Sequence, residues 1–430
     1  MSLTVSVWIL FILFIGAAVI NVPIAYALCF AGSVFVYMTN LVNQEMLIQT
    51  IFATTDNFPL LAVPFFIIAG ELMSTGGIAK RLVDLAKTLV GRFTGGLGAI
   101  AILACMVFAA ISGSGTATAA AIGGILIPIM IENKYNRNHA PTIVAAAGAL
   151  GPIIPPSIFF VLYGVIASVS ISKLFLAGVI PGLLIVLFLL IANYIICKRE
   201  RYPILDQKYT LKEKLIAVKD AFWALMAPVV VLGGIYGGFF TPTEAAVASV
   251  VYSAIVSVFV YRQISFRDLP DIFIRGGLTA STILIILGPA AFFGKLLAVA
   301  RVPQMLGDWL VHISSNPMIF IIVVNILLLI SGMLIEGTAA LTILSPLLVP
   351  IARIYDIDLV YFGVLICVNL SIGLFTPPFG LNLFITSRIA QTDFMKTLRY
   401  LWPQLITALA ALAIIIAIPQ LSTWLPSLLK

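Results

Sequence analysis

The chain has 430 residues, of which 62% are hydrophobic and 10% are charged, and its mean hydropathy is +1.16. A soluble domain cannot bury so much apolar surface, so the composition predicts a polytopic membrane protein. The net charge is +7, but the basic residues lie in short segments between apolar runs. This placement indicates membrane topology and gives no reason to expect a nucleic-acid partner.

Apolar runs follow one another along the chain, and we expect each to be helical. Their bounds are 4–20, 22–38, 46–73, 94–131, 141–173, 174–197, 221–239, 244–262, 272–299, 317–352, 359–387 and 398–428. The start of the chain lacks a basic segment, so we expect a retained first helix and not a cleaved signal peptide. Residues 198–220 separate the two halves, and Lys208 to Asp220 mixes charged and apolar residues at helical spacing. This pattern predicts an amphipathic connector on the cytoplasmic membrane surface.

Several motifs occur twice. The segment Ser33–Tyr37 recurs as Ser257–Tyr261, and Gly115–Ala117 recurs as Gly337–Ala339. The pattern Gly-x-x-x-Pro-Pro occurs at 151–156 and again at 373–378, at the same spacing as the Gly115 motif. We therefore expect one repeat over 1–200 and another over 221–430. Hydrophobic segments broken by Gly and Pro at matching places in two halves are typical of secondary transporters.

Two runs, 94–131 and 317–352, are too long for a single crossing. Each could form two full crossings or one re-entrant hairpin. We favour the hairpin because an arm such as 95–111 reaches only about 25 Å as a helix, less than the roughly 30 Å hydrocarbon core. The other predicted elements are broken helices at 141–173 and 359–387, closing helices at 174–197 and 398–428, and scaffold helices within 4–73 and 221–262.

The basic residues set the expected orientation. With hairpins and a periplasmic N-terminus, 19 of the 24 Lys and Arg residues fall in cytoplasmic loops. Each half then has five crossings, so the second half enters from the opposite face. The fold class that we predict is an all-α polytopic membrane protein made of two inverted repeats with two re-entrant hairpins.

The first pair of breaks predicts a cation site. Backbone groups freed inside a membrane need partners, and carbonyls at the end of a broken helix point a partial negative charge into the gap. Hydroxyl oxygens nearby complete a shell that suits sodium. The predicted ligands are Ser112, Gly113, Ser114, Gly115, Thr116, Gly151 and Pro152. The alternative is a helix kink filled by neighbouring side chains.

The second pair of breaks predicts a second sodium site, with ligands Glu336, Gly337, Thr338, Gly373 and Thr376. Glu336 occupies the position that Ser114 has in the first half. A carboxylate at membrane depth is costly and by default functional. The alternative is an N-terminal cap of the returning hairpin arm, and both roles are compatible.

Half-helices that start after these breaks favour an anion, because their amide groups and dipoles are positive at the N-terminus. The predicted substrate-binding residues are Ser114, Thr116, Ser157, Thr338, Pro377 and Asn382. We expect Arg388 to be a loop anchor, Glu244 a helix cap, and Asp56 and Glu71 capping or interface residues. The two histidines, His139 and His312, stand alone in expected loops, and the four cysteines lack metal spacing. We therefore predict no enzyme site, no cofactor and no metal other than sodium.

With its motifs Ser112–Thr118, Gly151–Ser157, Glu336–Thr338 and Gly373–Pro378, the chain resembles the large membrane subunit of tripartite ATP-independent periplasmic (TRAP) transporters over nearly its whole length. The resemblance implies an elevator transporter with the architecture of the ion-transporter superfamily, located in the bacterial inner membrane and made of a scaffold and a moving transport domain. It implies sodium-driven uptake of an organic acid, sialic acid or a C4-dicarboxylate. It also implies two partners, a small four-helix membrane subunit and a periplasmic substrate-binding protein. The alternative is a one-component sodium-coupled dicarboxylate carrier that works without a binding protein.

Overall fold

The computed structural model describes residues 3–90, 94–203 and 209–428, and over these ranges its regular structure is entirely helical. Arg92 and Lys208, which we expect in cytoplasmic loops, lie outside the described residues, as do residues 204–208 of the expected connector.

The two halves contain similar series of helices. In the first half they are α1 (Leu3–Val19), α2 (Ile24–Thr39), α3 (Met46–Thr55), α4 (Ala62–Thr75), α5 (Ile78–Val90), α6 (Gly96–Ser112), α7 (Gly115–Glu132), α8 (Ala140–Gly148), α9 (Ile158–Ala167) and α10 (Ile171–Arg199). In the second half they are α11 (Leu211–Tyr236), α12 (Pro242–Ile255), α13 (Leu269–Val299), α14 (Val302–Ile313), α15 (Pro317–Leu334), α16 (Gly337–Ile354), α17 (Leu359–Gly373), α18 (Leu381–Ile389), α19 (Phe394–Ala417) and α20 (Gln420–Ser427). A short 3₁₀ turn covers Phe58–Leu61, and a π turn covers Val256–Val260.

Within the described ranges, nine helical segments are long and apolar enough to cross a membrane. Many of their large apolar side chains are exposed, for example Leu187 at 52% and Ile406 at 61%, and so is Trp8 of the shorter helix α1 at 65%. Exposed apolar surface of this extent needs a lipid environment. The chain is therefore a multi-pass membrane protein, as its composition predicts.

One predicted scaffold run is interrupted in the structure. The run 46–73 is not one helix, because the chain breaks after Thr55 and resumes as α4 at Ala62. The matching helix of the second half, α13, is continuous over 31 residues and packs along both α3 and α4. Two small residues allow this close packing, since a Cβ on Gly288 would meet Ile51 and one on Gly276 would meet Ile68.

Short amphipathic helices lead from the scaffold into each hairpin. α5 precedes the first hairpin and buries Leu82, Val83 and Ala86 on one face. α14 precedes the second hairpin and packs against α16. Because α14 covers residues that we expected to be a loop, His312 lies in a helix and the loop prediction was wrong there.

The expected connector is not a separate helix. Its residues 211–220 are the first turns of α11, which continues to Tyr236. The helix starts with a capping box in which Thr210 and Glu213 bond each other's backbone N–H groups. Thr241 and Glu244 form the same box at the start of α12, so the predicted capping role of Glu244 is confirmed.

Each long apolar run forms a pair of helices with a very short turn. Gly113 and Ser114 join α6 to α7, and Ile335 and Glu336 join α15 to α16. The arms have 17 or 18 residues, or about 27 Å at most, which by itself does not separate a hairpin from two short spans. The packing favours the hairpin, because each turn contacts the middle of a broken helix and not its end.

The broken helices consist of two half-helices on either side of a non-helical segment. In the first half α8 and α9 flank residues 149–157, and in the second half α17 and α18 flank residues 374–380. Each segment contains a cis peptide bond, Pro155–Pro156 and Pro377–Pro378. The half-helix after each break packs on a hairpin arm of the other half: α9 contacts α16, and α18 contacts α7. Both turns and both breaks are thus gathered in one region of the molecule.

Candidate functional site

The first hairpin tip is a cluster of hydroxyl groups around the start of α7. The Ser114 hydroxyl caps α7 by accepting a hydrogen bond from Ala117 N at 3.4 Å, and it lies 3.2 Å from the Thr116 hydroxyl. The Thr118 hydroxyl donates to the carbonyl of Ser114 at 2.7 Å and lies 2.9 Å from the Ser112 hydroxyl. The tip therefore offers neutral oxygens and no charge.

The first break lies directly against this tip. A Cβ on Gly151 would be 2.4 Å from the carbonyl carbon and oxygen of Ser114, so only glycine allows the approach. The backbone N–H of Ile158 donates to Gly113 O at 3.4 Å. Ser157 is fully buried, caps α9 by accepting from Phe160 N, and donates its own proton to the carbonyl of Pro152.

The second hairpin tip carries a carboxylate where the first carries a serine. Glu336 is exposed, and its Oε2 accepts a hydrogen bond from Ala339 N at 3.1 Å and another from the Thr338 hydroxyl. The side chain therefore caps α16, as the alternative reading of the sequence proposed. Its Oε1 accepts no hydrogen bond in the part of the chain that the structure describes.

The second break repeats the close approach of the first. A Cβ on Gly373 would be 2.7 Å from the backbone of Gly332 in the hairpin arm α15, and Phe379 N donates to Met333 O at 3.3 Å. The Thr376 hydroxyl is buried and donates to Ile372 O at 2.7 Å. Asn382 is fully buried and donates to Ala145 O at 3.1 Å, which ties α18 to the first broken helix.

A single buried leucine connects the two tips. A Cβ on Gly115 would be 2.7 Å from Leu374 Cδ1, and one on Gly337 would be 3.6 Å from Leu374 Cδ2. In front of the tips lies a cavity of about 600 Å³. The predicted residues that line it are Ser112, Gly113, Ser114, Gly115, Thr116, Pro152, Glu336 and Thr338.

Other predicted residues lie behind this surface. Gly151, Gly337 and Gly373 support the tips by close packing. Ser157, Thr376 and Asn382 are buried, and Pro377 is half-buried, without lining the cavity. One of them keeps an unused acceptor, since Asn382 Oδ1 has no hydrogen-bond partner within the described residues. Arg388 lies in the last turn of α18 over the ring of Phe384, 5.0 Å from its centroid, and does not line the cavity either.

The opposite wall of the cavity comes from the scaffold, and sequence reasoning missed it. α4 contributes Glu71 and Ser74, and α13 contributes Thr279 and Thr282. Glu71 Oε1 lies 3.9 Å from Arg275 Nε. A usable signal was present, because small and polar residues recur at helical spacing within these otherwise apolar runs.

The charged side chains that line the cavity within the described residues are all acidic. Its lining has two carboxylates, Glu71 and Glu336, and among the described residues no Lys or Arg. The described residues also contain no group of three or more His, Cys, Asp or Glu that could hold a metal ion. Carboxylate, hydroxyl and carbonyl oxygens without nitrogen or sulfur ligands suit a hard cation.

Comparison with known proteins supports a transport function. The family description "Tripartite ATP-independent periplasmic transporter, DctM component" matches residues 11–421. The C4-dicarboxylate TRAP transporter large permease protein DctM of Pseudomonas aeruginosa is 42% identical over 88% of this chain and 88% of its own length. The sialic acid TRAP transporter large permease protein SiaM of Vibrio cholerae is 38% identical over 96% of this chain and 97% of its own length.

The fold is also similar to a solved structure. The crystal structure of the Alcanivorax borkumensis YdaH transporter matches with a TM-score of 0.62 and 13% identity, over 88% of this chain and 87% of that one. The helical membrane fold, the paired hairpins and the cavity at their tips define a membrane transport protein. The chain belongs to the DctM family, the large permease components of TRAP transporters.

Proposed function

We propose that the chain takes up an organic acid by sodium-driven secondary transport. The observation that carries this proposal is the meeting of both hairpin tips at one cavity, with oxygen groups at both tips. We assign one sodium ion to Ser112–Thr116 with Gly151 and Pro152, and another to Glu336–Thr338 with Gly373 and Thr376. The substrate carboxylate would lie between the tips, close to Ser114, Thr116 and Thr338, which line the cavity.

The size and charge of the cavity support a cation-dependent anion site. A volume of about 600 Å³ is within the range of roughly 300–1,000 Å³ that is usual for sites of small organic ligands. An organic anion that enters meets two carboxylates and, among the described lining residues, no basic side chain. Bound sodium would reverse this unfavourable potential, and the positive N-terminal ends of α7 and α16 would add to the attraction.

We propose an elevator movement, in which α6–α10 and α15–α19 carry the tips past the scaffold of α1–α4 and α11–α13. The cavity lies between these two groups, and the linking helices α5 and α14 enter the hairpins from the scaffold side. From the scaffold, the lining uses Ile24 at the start of α2, residues 67–74 of α4, and residues 279–286 near the middle of α13. Ser74, at the end of α4, begins the predicted cytoplasmic loop 74–93, so we assign the structure to a state that faces the cytoplasm.

The coupling energy is sufficient. Two sodium ions with a monoanion move one net charge, worth about 2.3 kcal/mol per 100 mV. A tenfold sodium gradient adds about 1.4 kcal/mol per ion, which brings the total to roughly 5 kcal/mol and a concentration ratio of some thousands. We propose that the substrate is delivered by a periplasmic binding protein, that a small membrane subunit completes the transporter, and that the N-terminus is periplasmic in the bacterial inner membrane.

Reconstitution in liposomes tests this proposal. The chain is inserted with its small subunit, the binding protein is added outside with labelled sialic acid or a C4-dicarboxylate, and an inward sodium gradient is applied. We expect saturable uptake that needs both sodium and the binding protein. Uptake that persists with a proton gradient after the sodium gradient is collapsed would refute sodium coupling. Sodium-driven uptake by the chain alone would instead identify a one-component carrier.

A further inference from the structure

A second and larger cavity, of about 1280 Å³, lies away from the hairpin tips. Its lining residues come from α5, the first turns of α11, the bases of α6 and α7, and the chain after the π turn. From α5 it includes Lys80, Arg81, Asp84, Lys87 and Thr88, which share one face of that helix. All these segments are ends that we place on the cytoplasmic side, and we call the cavity the α5–α11 groove.

Two lysines of the groove have no ion-pair or hydrogen-bond partner among the described residues. Among the described residues, the lining has four basic and three acidic side chains. Lys87 Nζ lies 3.1 Å from Asp84, and the Glu213 carboxylate is occupied by the backbone N–H and hydroxyl of Thr210 at 2.7 and 2.8 Å. Lys80 and Lys219 are exposed and form neither an ion pair nor a hydrogen bond with the described residues.

Arg81 brings a further positive charge to the groove, beside those of Lys80 and Lys219. The Arg81 guanidinium lies 3.7 Å from the centroid of the Tyr261 ring and donates one hydrogen bond to Gly77 O at 3.0 Å. A guanidinium has five N–H groups, and Arg81 makes no other hydrogen bond with the residues that the structure describes. The described lining has four basic side chains, Lys80, Arg81, Lys87 and Lys219, against three acidic ones, which leaves a net charge of +1. The groove therefore keeps an excess of positive charge.

The other half of the groove is apolar and faces the surroundings of the protein. Leu97 and Ile129 contribute from the base of the first hairpin. Leu215, Ile216 and Phe222 of α11 line the groove with 62%, 48% and 46% of their surface exposed. Trp223 follows at 43% exposure, a residue type that favours the boundary between headgroups and acyl chains.

We propose that the α5–α11 groove binds an anionic phospholipid of the cytoplasmic leaflet. Its phosphate would be held by Lys80, Lys219 and Arg81, and an acyl chain would cover the exposed apolar residues of α11. Basic pockets between helices on the cytoplasmic side are suited to acidic headgroups. A soluble phosphate would satisfy the lysines but leave Leu215 and Phe222 exposed, so the lipid accounts for both halves of the groove.

Native mass spectrometry of the purified, delipidated chain tests the proposal. Phosphatidylglycerol and phosphatidylcholine are titrated in parallel, and the lipid-bound fraction is measured for the natural protein and the double variant Lys80→Gln with Lys219→Gln. We expect phosphatidylglycerol to bind the double variant about thirtyfold more weakly, the combined effect of two surface lysines. The double variant Lys80→Arg with Lys219→Arg should keep binding, because the charge remains. Lys396→Gln, an exposed lysine on α19, is the matched control and should have no effect.

Three results would overturn the proposal. Equal binding of both lipids would remove the charge requirement, and unchanged binding by the glutamine variant would place the lipid elsewhere. Displacement of phosphatidylglycerol by millimolar glycerol phosphate or inorganic phosphate would identify a soluble phosphate as the ligand. Because the readout is lipid binding, these results do not depend on whether sodium drives transport.

Discussion

Replacing Glu336 by Gln should weaken sodium binding without unfolding the second hairpin. Glutamine keeps an oxygen that can accept hydrogen bonds from Ala339 N and the Thr338 hydroxyl, so the cap of α16 is retained. The charge is lost. A cation about 4 Å from a carboxylate gains ~1 kcal/mol in water and ~4 kcal/mol at an effective dielectric constant of about 20. Because Glu336 is exposed to the cavity, the loss should lie between these limits.

This range corresponds to an increase of between about fivefold and about a thousandfold in the sodium concentration for half-maximal uptake. The assay is uptake by proteoliposomes over a series of sodium concentrations, with the melting temperature recorded for each variant. Glu71→Gln is the matched control, since it removes the other carboxylate of the same cavity, which faces Arg275 at 3.9 Å, and should leave the sodium dependence nearly unchanged. If Glu336→Gln transports with an unchanged sodium requirement, Glu336 is a cap and not a cation ligand.

Three further substitutions test the packing of the site and of its surroundings. Gly151→Ala should cost about 1–3 kcal/mol and abolish uptake, because its Cβ would meet the Ser114 carbonyl at 2.4 Å. Gly124→Ala, within α7 and with open space around it, should leave uptake unchanged and should not lower the melting temperature. Leu374→Ala should lower the free energy of unfolding by about 2–5 kcal/mol by emptying the space between the tips, and Leu334→Ala, which is 52% exposed, should have little effect on melting. Burial lowers the pKa of His139, which lies outside the candidate spans, from 6.5 to about 4. The unfolded chain therefore binds a proton between these values that the folded chain does not, so stability should fall by about 3 kcal/mol as the pH drops from 6.5 to 4. Denaturation curves at several pH values should show this slope, and His139→Gln should remove it; an unchanged slope would assign it to other groups.

The hairpin tips and the breaks could be located from the sequence because their chemistry is local. Closely spaced Gly, Pro and Ser residues mark the places where the backbone leaves the helix, and the repeat marks each place twice. Isolated prolines such as Pro128 and Pro346 lie inside helices and mark no break. The same repeat could also have revealed α14. The amphipathic helix α5 starts at Ile78, and its counterpart starts at Val302, close to the position that the repeat gives.

Other elements could not be placed from hydropathy alone. The break between α3 and α4 lies within a continuous apolar run, and only Asp56-Asn57-Phe58-Pro59 marks it. The polar scaffold wall was missed for a different reason. Glu71 was expected to be a cap or interface residue, and only the packing of α4 against the tips places it in the cavity. Periodicity and motif spacing describe neighbouring residues along the chain. They do not show which distant segments pack against each other in the folded protein.

The difference between Ser114 and Glu336 gives the two tips different electrostatic roles in the proposed mechanism. Both residues cap the returning arm of a hairpin and both line the cavity, yet only one is charged. A cation at the first tip is held by neutral oxygens alone, so its binding gains most from a substrate anion nearby. A cation at the second tip is held by a carboxylate before any substrate arrives. We therefore infer that the second tip fills first and that the first tip fills together with the substrate, which couples the organic acid to sodium through the neutral tip.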